Sequence, residues 1–138
     1  LMLLAIEPGK THTIEEAARR YGVSRNHLMK VAGTLARSGF IAALRGRGGG
    51  IALARPADSI NLGAVVRATE DSFALVECFD RERNTCIVAP VCGLRAPLEV
   101  AVHAFLEVLD GYSLQDLVAH PGQMRRLLSS SGSLETHA

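Results

Sequence analysis

Two helix-start signals with a glycine turn between them constrain this 138-residue chain more than any other feature. Thr13-Ile14-Glu15-Glu16 fits a capping box, with Thr13 as N-cap and Glu16 reaching back to its amide. Ile14, Ala17 and Ala18 then give the buried face of a short helix ending near Arg20. Tyr21-Gly22-Val23 reads as a turn, and Ser24 as a second N-cap. From Arg25 to Ser38, Leu28, Val31, Ala32 and Leu35 recur at helical spacing, and Gly39 suits the left-handed position past the helix end. Two helices joined by so short a glycine turn predict a helix-turn-helix.

Phe40–Leu44 and Ile51–Ala54 are short β-capable runs flanking Arg45-Gly46-Arg47-Gly48-Gly49-Gly50, which predicts a hairpin, or wing, behind the second helix. Glycines admit a phosphate close to the backbone, and Arg45 and Arg47 supply charge for it or for a minor groove. The second helix of such a unit presents its N-terminal residues to base edges, here Ser24, Arg25, Asn26 and His27, with Lys30 a turn further on. Arginine can read guanine and asparagine adenine, while Lys30 and Ser24 suit phosphates. Arg37 reads as ordinary surface. Charge fits double-stranded DNA as the partner of this half. Through Glu70 there are ten Lys/Arg against five Asp/Glu, and after it five against nine.

Leu1 to Ile6 reads as the last turns of a helix stopped by Pro8-Gly9, with further residues expected upstream. After Pro56, Ser59 or Asn61 caps a helix through Leu62, Val65, Val66 and Ala68 that ends near Glu70. From Leu94, apolar residues recur at Leu98, Val102, Phe105, Leu109 and Tyr112, with Glu99, His103 and Glu107 opposite. A helix of roughly 16 residues spans about 24 Å, more than a small domain needs to cover its core, and is assigned to dimerisation. Ser113 caps a last short helix from Leu114 to Val118. The expected class is therefore mainly α with a small β-hairpin: a winged helix-turn-helix DNA-binding domain plus a long dimerisation helix. The expected parts are 1–58 for the winged unit, 59–93 for a linking helix and cysteine loop, 94–119 for the dimerisation and short C-terminal helices, and 120–138 for a disordered tail. No apolar run is long enough for a membrane span, and the opening LMLLAI lacks the flanks of a signal peptide.

All three cysteines fall in one stretch, Val76 to Leu94: Cys78, Cys86 and Cys92 lie within 15 residues and none among the other 123. Asp80, Asn84, Thr85 and Pro90 between them favour turns, so three soft ligands stand on a loop at the foot of the long helix. Free cysteines also serve as small buried hydrophobes, but such concentration favours a metal or redox site. An odd number of close-set thiols argues against an extracellular disulfide framework and for the cytoplasm. Zinc usually shows paired Cys-x-x-Cys ligands, absent here, and His12, His27, His103, His120 and His137 stand at no ligand spacing from the loop. Irregular spacing suits an iron–sulfur cluster, with one position left to a non-cysteine ligand. No acid–base pair, Gly-x-Ser-x-Gly elbow or nucleotide loop points to an enzyme.

The segments ARRYGVSRNHLMKV, RGRGGGIALARP, INLGAVVRATE and LVECFDRERNTCIVAPVCGLRAPLEVAVHAFLEVLDGYSLQDL resemble the NsrR repressors, nitric-oxide-sensing members of the IscR/NsrR winged-helix family. The likeness runs from about Leu1 to Val118. It implies a homodimer in which Cys78, Cys86 and Cys92 of each subunit hold one cluster, 4Fe–4S with 2Fe–2S as the alternative. It implies a fourth ligand, a carboxylate on the partner's N-terminal helix, upstream of the first residue here. It implies too that the intact cluster favours operator binding and that nitric oxide, by nitrosylating it, releases the repressor. The alternative is the same regulator sensing iron, cluster supply or redox state.

Overall fold

The computed structural model describes residues 1–130. Among them are α1 Met2–Ile6, α2 Ile14–Tyr21, α3 Arg25–Arg37, β1 Ile41–Leu44, β2 Gly50–Leu53, α4 Leu62–Thr69, α5 Arg95–Asp110, α6 Leu114–Leu117 and α7 Pro121–Ser130. Helices dominate, with one antiparallel hairpin pairing Ile41 with Leu53 and Leu44 with Gly50.

The predicted caps fix the helix-turn-helix. Thr13 Oγ1 accepts from the Glu16 amide at 3.0 Å and Ser24 Oγ from the His27 amide at 3.1 Å, each worth about 1 kcal/mol. The Glu16 side chain does not return to Thr13, as a full capping box requires; its carboxylate faces Arg20 and His12 instead. Both helices end alike. Gly22 (φ +64°) and Gly39 (φ +75°) turn left-handed, so that Val23 donates to Ala18 and Phe40 to Leu35, each at 3.0 Å. The second of these turns drops Phe40 into the core beside Leu35 and starts the wing.

His12 adds a third strand-like segment to the hairpin. Its amide donates to Ile51 O at 3.1 Å, and the Ile51 amide donates back at 2.8 Å. Gly50 lies so close that a Cβ there would stand 2.5 Å from His12 O, a backbone atom. Gly50→Ala should therefore destabilise the fold by about 1–3 kcal/mol, read by denaturant unfolding; wild-type stability would refute the contact.

Leu4, Ala32, Leu35, Phe40, Ile41, Ile60 and Leu114 form the main core. On the other side of α1, Leu3, Ile6, Ala17 and Val118 form a second cluster, covered by Met124 and Leu128 of α7. Residues 121–130 correct the expected disordered tail from 120: they are helical because Met124 and Leu128 find this apolar surface and Arg125 Nη1 donates to Ile6 O at 2.7 Å. The rest of that expectation, 131–138, lies outside the described residues.

Helix α5 spans the 16 residues anticipated, and none of them is buried. Leu98, Val102, Leu106 and Leu109 are half-buried. Phe105, expected on that stripe, is 53% exposed together with Val100 and Val108; Leu106 takes the inward place, a choice helical spacing leaves open. Glu99, His103 and Glu107 border a groove shared with Phe73 and Phe79.

The C-terminal end of α5 is fastened to α4. Arg67 grips Asp110 with two bonds of 2.6 and 2.8 Å, and its guanidinium holds the Asp110 carboxyl below the usual carboxylate range. Asn61, whose Oδ1 caps α4 at Ala64, donates from Nδ2 to Asp110 O at 2.7 Å. Gly63 faces Asp110 where any side chain would collide with its carboxylate.

Candidate nucleic-acid interface and cysteine loop

Between Glu16 and Asp58 the chain carries eight Lys/Arg and no Asp/Glu. Arg19 and Arg20 of that run end α2, and the other six, from Arg25 to Arg55, lie on the second helix of the helix-turn-helix and its wing, so one sign of charge is concentrated on the unit suited to a polyanion.

All seven residues predicted to face DNA are exposed: Ser24, Arg25, Asn26, His27 and Lys30 at the start of α3, and Arg45 and Arg47 at the wing tip. The Ser24 cap leaves Arg25, Asn26 and His27 on the first turn of α3, where the helix dipole adds positive potential. Arg45 and Arg47 alternate with Gly46 (φ +94°) and Gly48 (φ +72°). The tip is tied down, with Gly49 donating to Gly46 O at 3.0 Å and Thr11 Oγ1 to Gly48 O at 2.8 Å. Because α3 and β1 share Leu35, Phe40 and Ile41 in one core, helix and wing form a single rigid head. Sequence reasoning passed over Met29, 46% exposed beside Asn26 and Lys30. It lies off the buried stripe of α3, and that was the available signal; an apolar side chain there suits a thymine methyl.

The cysteine segment is irregular, as expected, with one 3-10 turn at Glu77–Phe79. Its own side chains shape it. Asp80 Oδ1 accepts from the Glu82 amide at 3.0 Å, and Asn84 Oδ1 from the Cys86 amide at 3.0 Å. Thr85 Oγ1 donates to Glu77 Oε2 at 3.0 Å, tying the neighbours of Cys78 and Cys86 together. The Leu94 amide lies 3.5 Å from Cys92 Sγ and donates to it. All three thiols are free and half-buried. Around them Ile87 and Val91 stand 95% and 88% exposed, an uncovered apolar collar.

Among the described residues, no three His, Cys, Asp or Glu side chains lie close enough to share one metal ion. Three free, half-buried, soft donors on one irregular segment match an iron–sulfur cluster in their chemistry.

Comparison with known proteins agrees with the architecture. The family model Rrf2, described as an iron-dependent transcriptional regulator, matches residues 1–120. The chain is 47% identical over 128 residues to the HTH-type transcriptional regulator NsrR of Bacillus subtilis, covering 93% of this chain and 88% of that protein. Protein aau3 of Rhizobium meliloti is 46% identical over 128 residues, covering 93% and 83%. Among solved structures, CymR, the global cysteine regulator of B. subtilis, superposes with a TM-score of 0.65 at 24% identity over 86% of this chain and 87% of its own. The IscR of T. potens gives 0.66 at 24% identity over 85% and 76%.

Proposed function

The chain belongs to the Rrf2 family of transcriptional regulators, and on that premise we propose that it is a cytoplasmic homodimeric repressor that senses nitric oxide through an iron–sulfur cluster. The observation carrying this reading is the union of a winged helix-turn-helix, whose second helix and wing carry no Asp or Glu, with three free thiols on one loop. The loop leads directly into α5.

Each part of the chain has a task. Arg25, Asn26 and His27 enter the major groove; Lys30, Arg45, Arg47 and Ser24 hold phosphates or the minor groove. The open row of Val100, Phe105 and Val108 on α5 joins a second copy. Cys78, Cys86 and Cys92 hold the cluster, 4Fe–4S by resemblance to NsrR, and the Leu94 amide points at the third of these sulfurs. When bound, such a cluster would supply one iron held by a non-cysteine ligand, the weaker position at which a small diatomic molecule could attack. Since two heads on one two-fold dimer must match half-sites about a helical turn apart, a small change in their spacing removes contacts in both grooves together. Intact holo-protein binds the operator; exposure to nitric oxide releases it.

The test is a mobility-shift titration with cluster-loaded protein, apo-protein and protein exposed to nitric oxide. Equal affinity in all three states would overturn the sensing role. A second reading, response to iron or cluster supply, is favoured by the family's description as iron-dependent, and release by an iron chelator but not by nitric oxide would select it. For the head itself, Lys30→Ala or Arg45→Ala should weaken binding to every sequence and lower the salt slope by about 0.9 for each lost phosphate contact. Arg25→Ala or Asn26→Ala should instead relax preference at single base pairs. An unchanged slope for the first pair removes them from the phosphate contacts.

A further inference from the structure

Helix α3 turns Leu28, Val31, Ala32 and Leu35 inward, so helical spacing puts Asn26, Met29, Lys30, Gly33 and Arg37 on its outward side. Two of these are at odds with a face that meets only water. Met29 is the one exposed apolar residue from Ser24 to Lys30, and it borders a shallow hollow with Asn26 and Lys30. Gly33, one turn further on, stands inside the helix, where glycine is the least favoured residue short of proline. Its backbone is ordinary right-handed helix, and a Cβ there would meet only the movable tip of Arg37, 3.4 Å away. Arg37 folds back along the helix, its Nη2 donating to Thr34 Oγ1 at 3.1 Å. Neither backbone nor packing asks for a glycine here.

A duplex seated on this side accounts for both residues. Base edges in the major groove present donors and acceptors, and one apolar group besides, the thymine C5 methyl. An apolar side chain set between polar ones matches that methyl, and the unbranched thioether of methionine conforms to whatever it covers. A residue without a side chain lets the backbone of α3 come close to its partner; any side chain at Gly33 would hold the helix off by its own thickness. The two positions, four residues apart, thus form a step and a notch along one line. Met29 stands about 4.5 Å further along the helix axis than Asn26. A thymine under it therefore lies about one or two base pairs from an adenine held by Asn26.

We propose that Met29 is a specificity-determining residue that reads a thymine methyl in each half-site, and that Gly33 is the notch that seats α3 deeply enough for the contact. This rests on the reading of α3 as the groove-facing helix, deepens it, and is independent of what the cysteines hold. At one base pair of each half-site the choice is made by a methyl group, not by a hydrogen bond.

The probe is the duplex that the full chain, purified without oxygen, selects from a random pool, labelled for fluorescence anisotropy. Replacing a thymine by deoxyuridine removes the methyl and keeps every hydrogen bond of the base. At one thymine, changed in both half-sites, binding should weaken about fifteenfold, about fourfold for each methyl left uncovered. Met29→Ala should weaken binding to the thymine duplex by about as much, and the two changes together should cost no more than either alone. Met29→Leu keeps an apolar tip and should keep the preference for thymine over deoxyuridine. Losses that simply add overturn the reading of Met29. Gly33→Ala should raise the thermal midpoint of the free protein while weakening binding about tenfold. A glycine that served the fold alone would move both in one direction, and wild-type affinity in Gly33→Ala overturns the notch. A selected duplex indifferent to the loss of any of its thymine methyls overturns the proposal and leaves DNA binding standing; a chain that selects no duplex overturns the DNA-binding reading itself.

Discussion

Phe105→Glu should convert the protein from a two-chain particle to a monomer and weaken operator binding at least about a hundredfold. No residue of α5 is buried, although the helix carries Val100, Phe105 and Val108 on its open side. A solvent-facing apolar row of that length marks an association surface. Covering one phenylalanine is worth about 1.5–3 kcal/mol, and two-fold symmetry presents it twice. A carboxylate in its place removes that gain and adds the cost of burying charge without a partner. Two joined heads hold an operator far better than one, because the second binds at high effective concentration. Sedimentation equilibrium gives the mass and anisotropy the affinity. An unchanged two-chain mass would move the contact away from this face.

Cys86→Ala should abolish iron retention and leave the head intact. Cys86 is a half-buried thiol in an irregular segment, so its loss opens no core cavity. On the proposed ligation by all three thiols, two cannot hold the centre, so iron and sulfide per chain should fall to background after anaerobic reconstitution. Thermal unfolding of the apo-protein should change by less than about 0.5 kcal/mol. Cys78→Ala and Cys92→Ala should behave alike. Full iron content in any of the three would remove that residue from the ligands.

The head was legible in the sequence because its signals are local. Thr13, Ser24 and Asn61 announce helix starts through their side-chain oxygens, Gly22 and Gly39 announce helix ends, and the Arg-Gly run announces the tip of the hairpin. The cysteine segment was legible by composition alone, since its shape comes from short side-chain bonds around Asp80 and Asn84. What sequence could not give depends on distant partners. Helix α7 exists because Met124 and Leu128 meet Leu3 and Ile6 across the length of the chain, and weak polar local sequence concealed it. Phe105 and Leu106 both fit a helical stripe, and only the position of α4 decides between them. His12 offered no signal in a linear reading, because its partners are assembled by three separate segments.

Asp110 makes the long helix a beam clamped at one end. Its far end, at Leu94, is where the cysteine segment joins it. Over about 24 Å, a rotation of about 5° at the clamp sweeps the free end by about 2 Å, and a push of that size at the free end returns as the same tilt at α4. Under the proposed sensing role, a contraction or relaxation of the cysteine segment would reach the head with leverage, through a joint made of one arginine, one aspartate and a residue with no side chain to obstruct them.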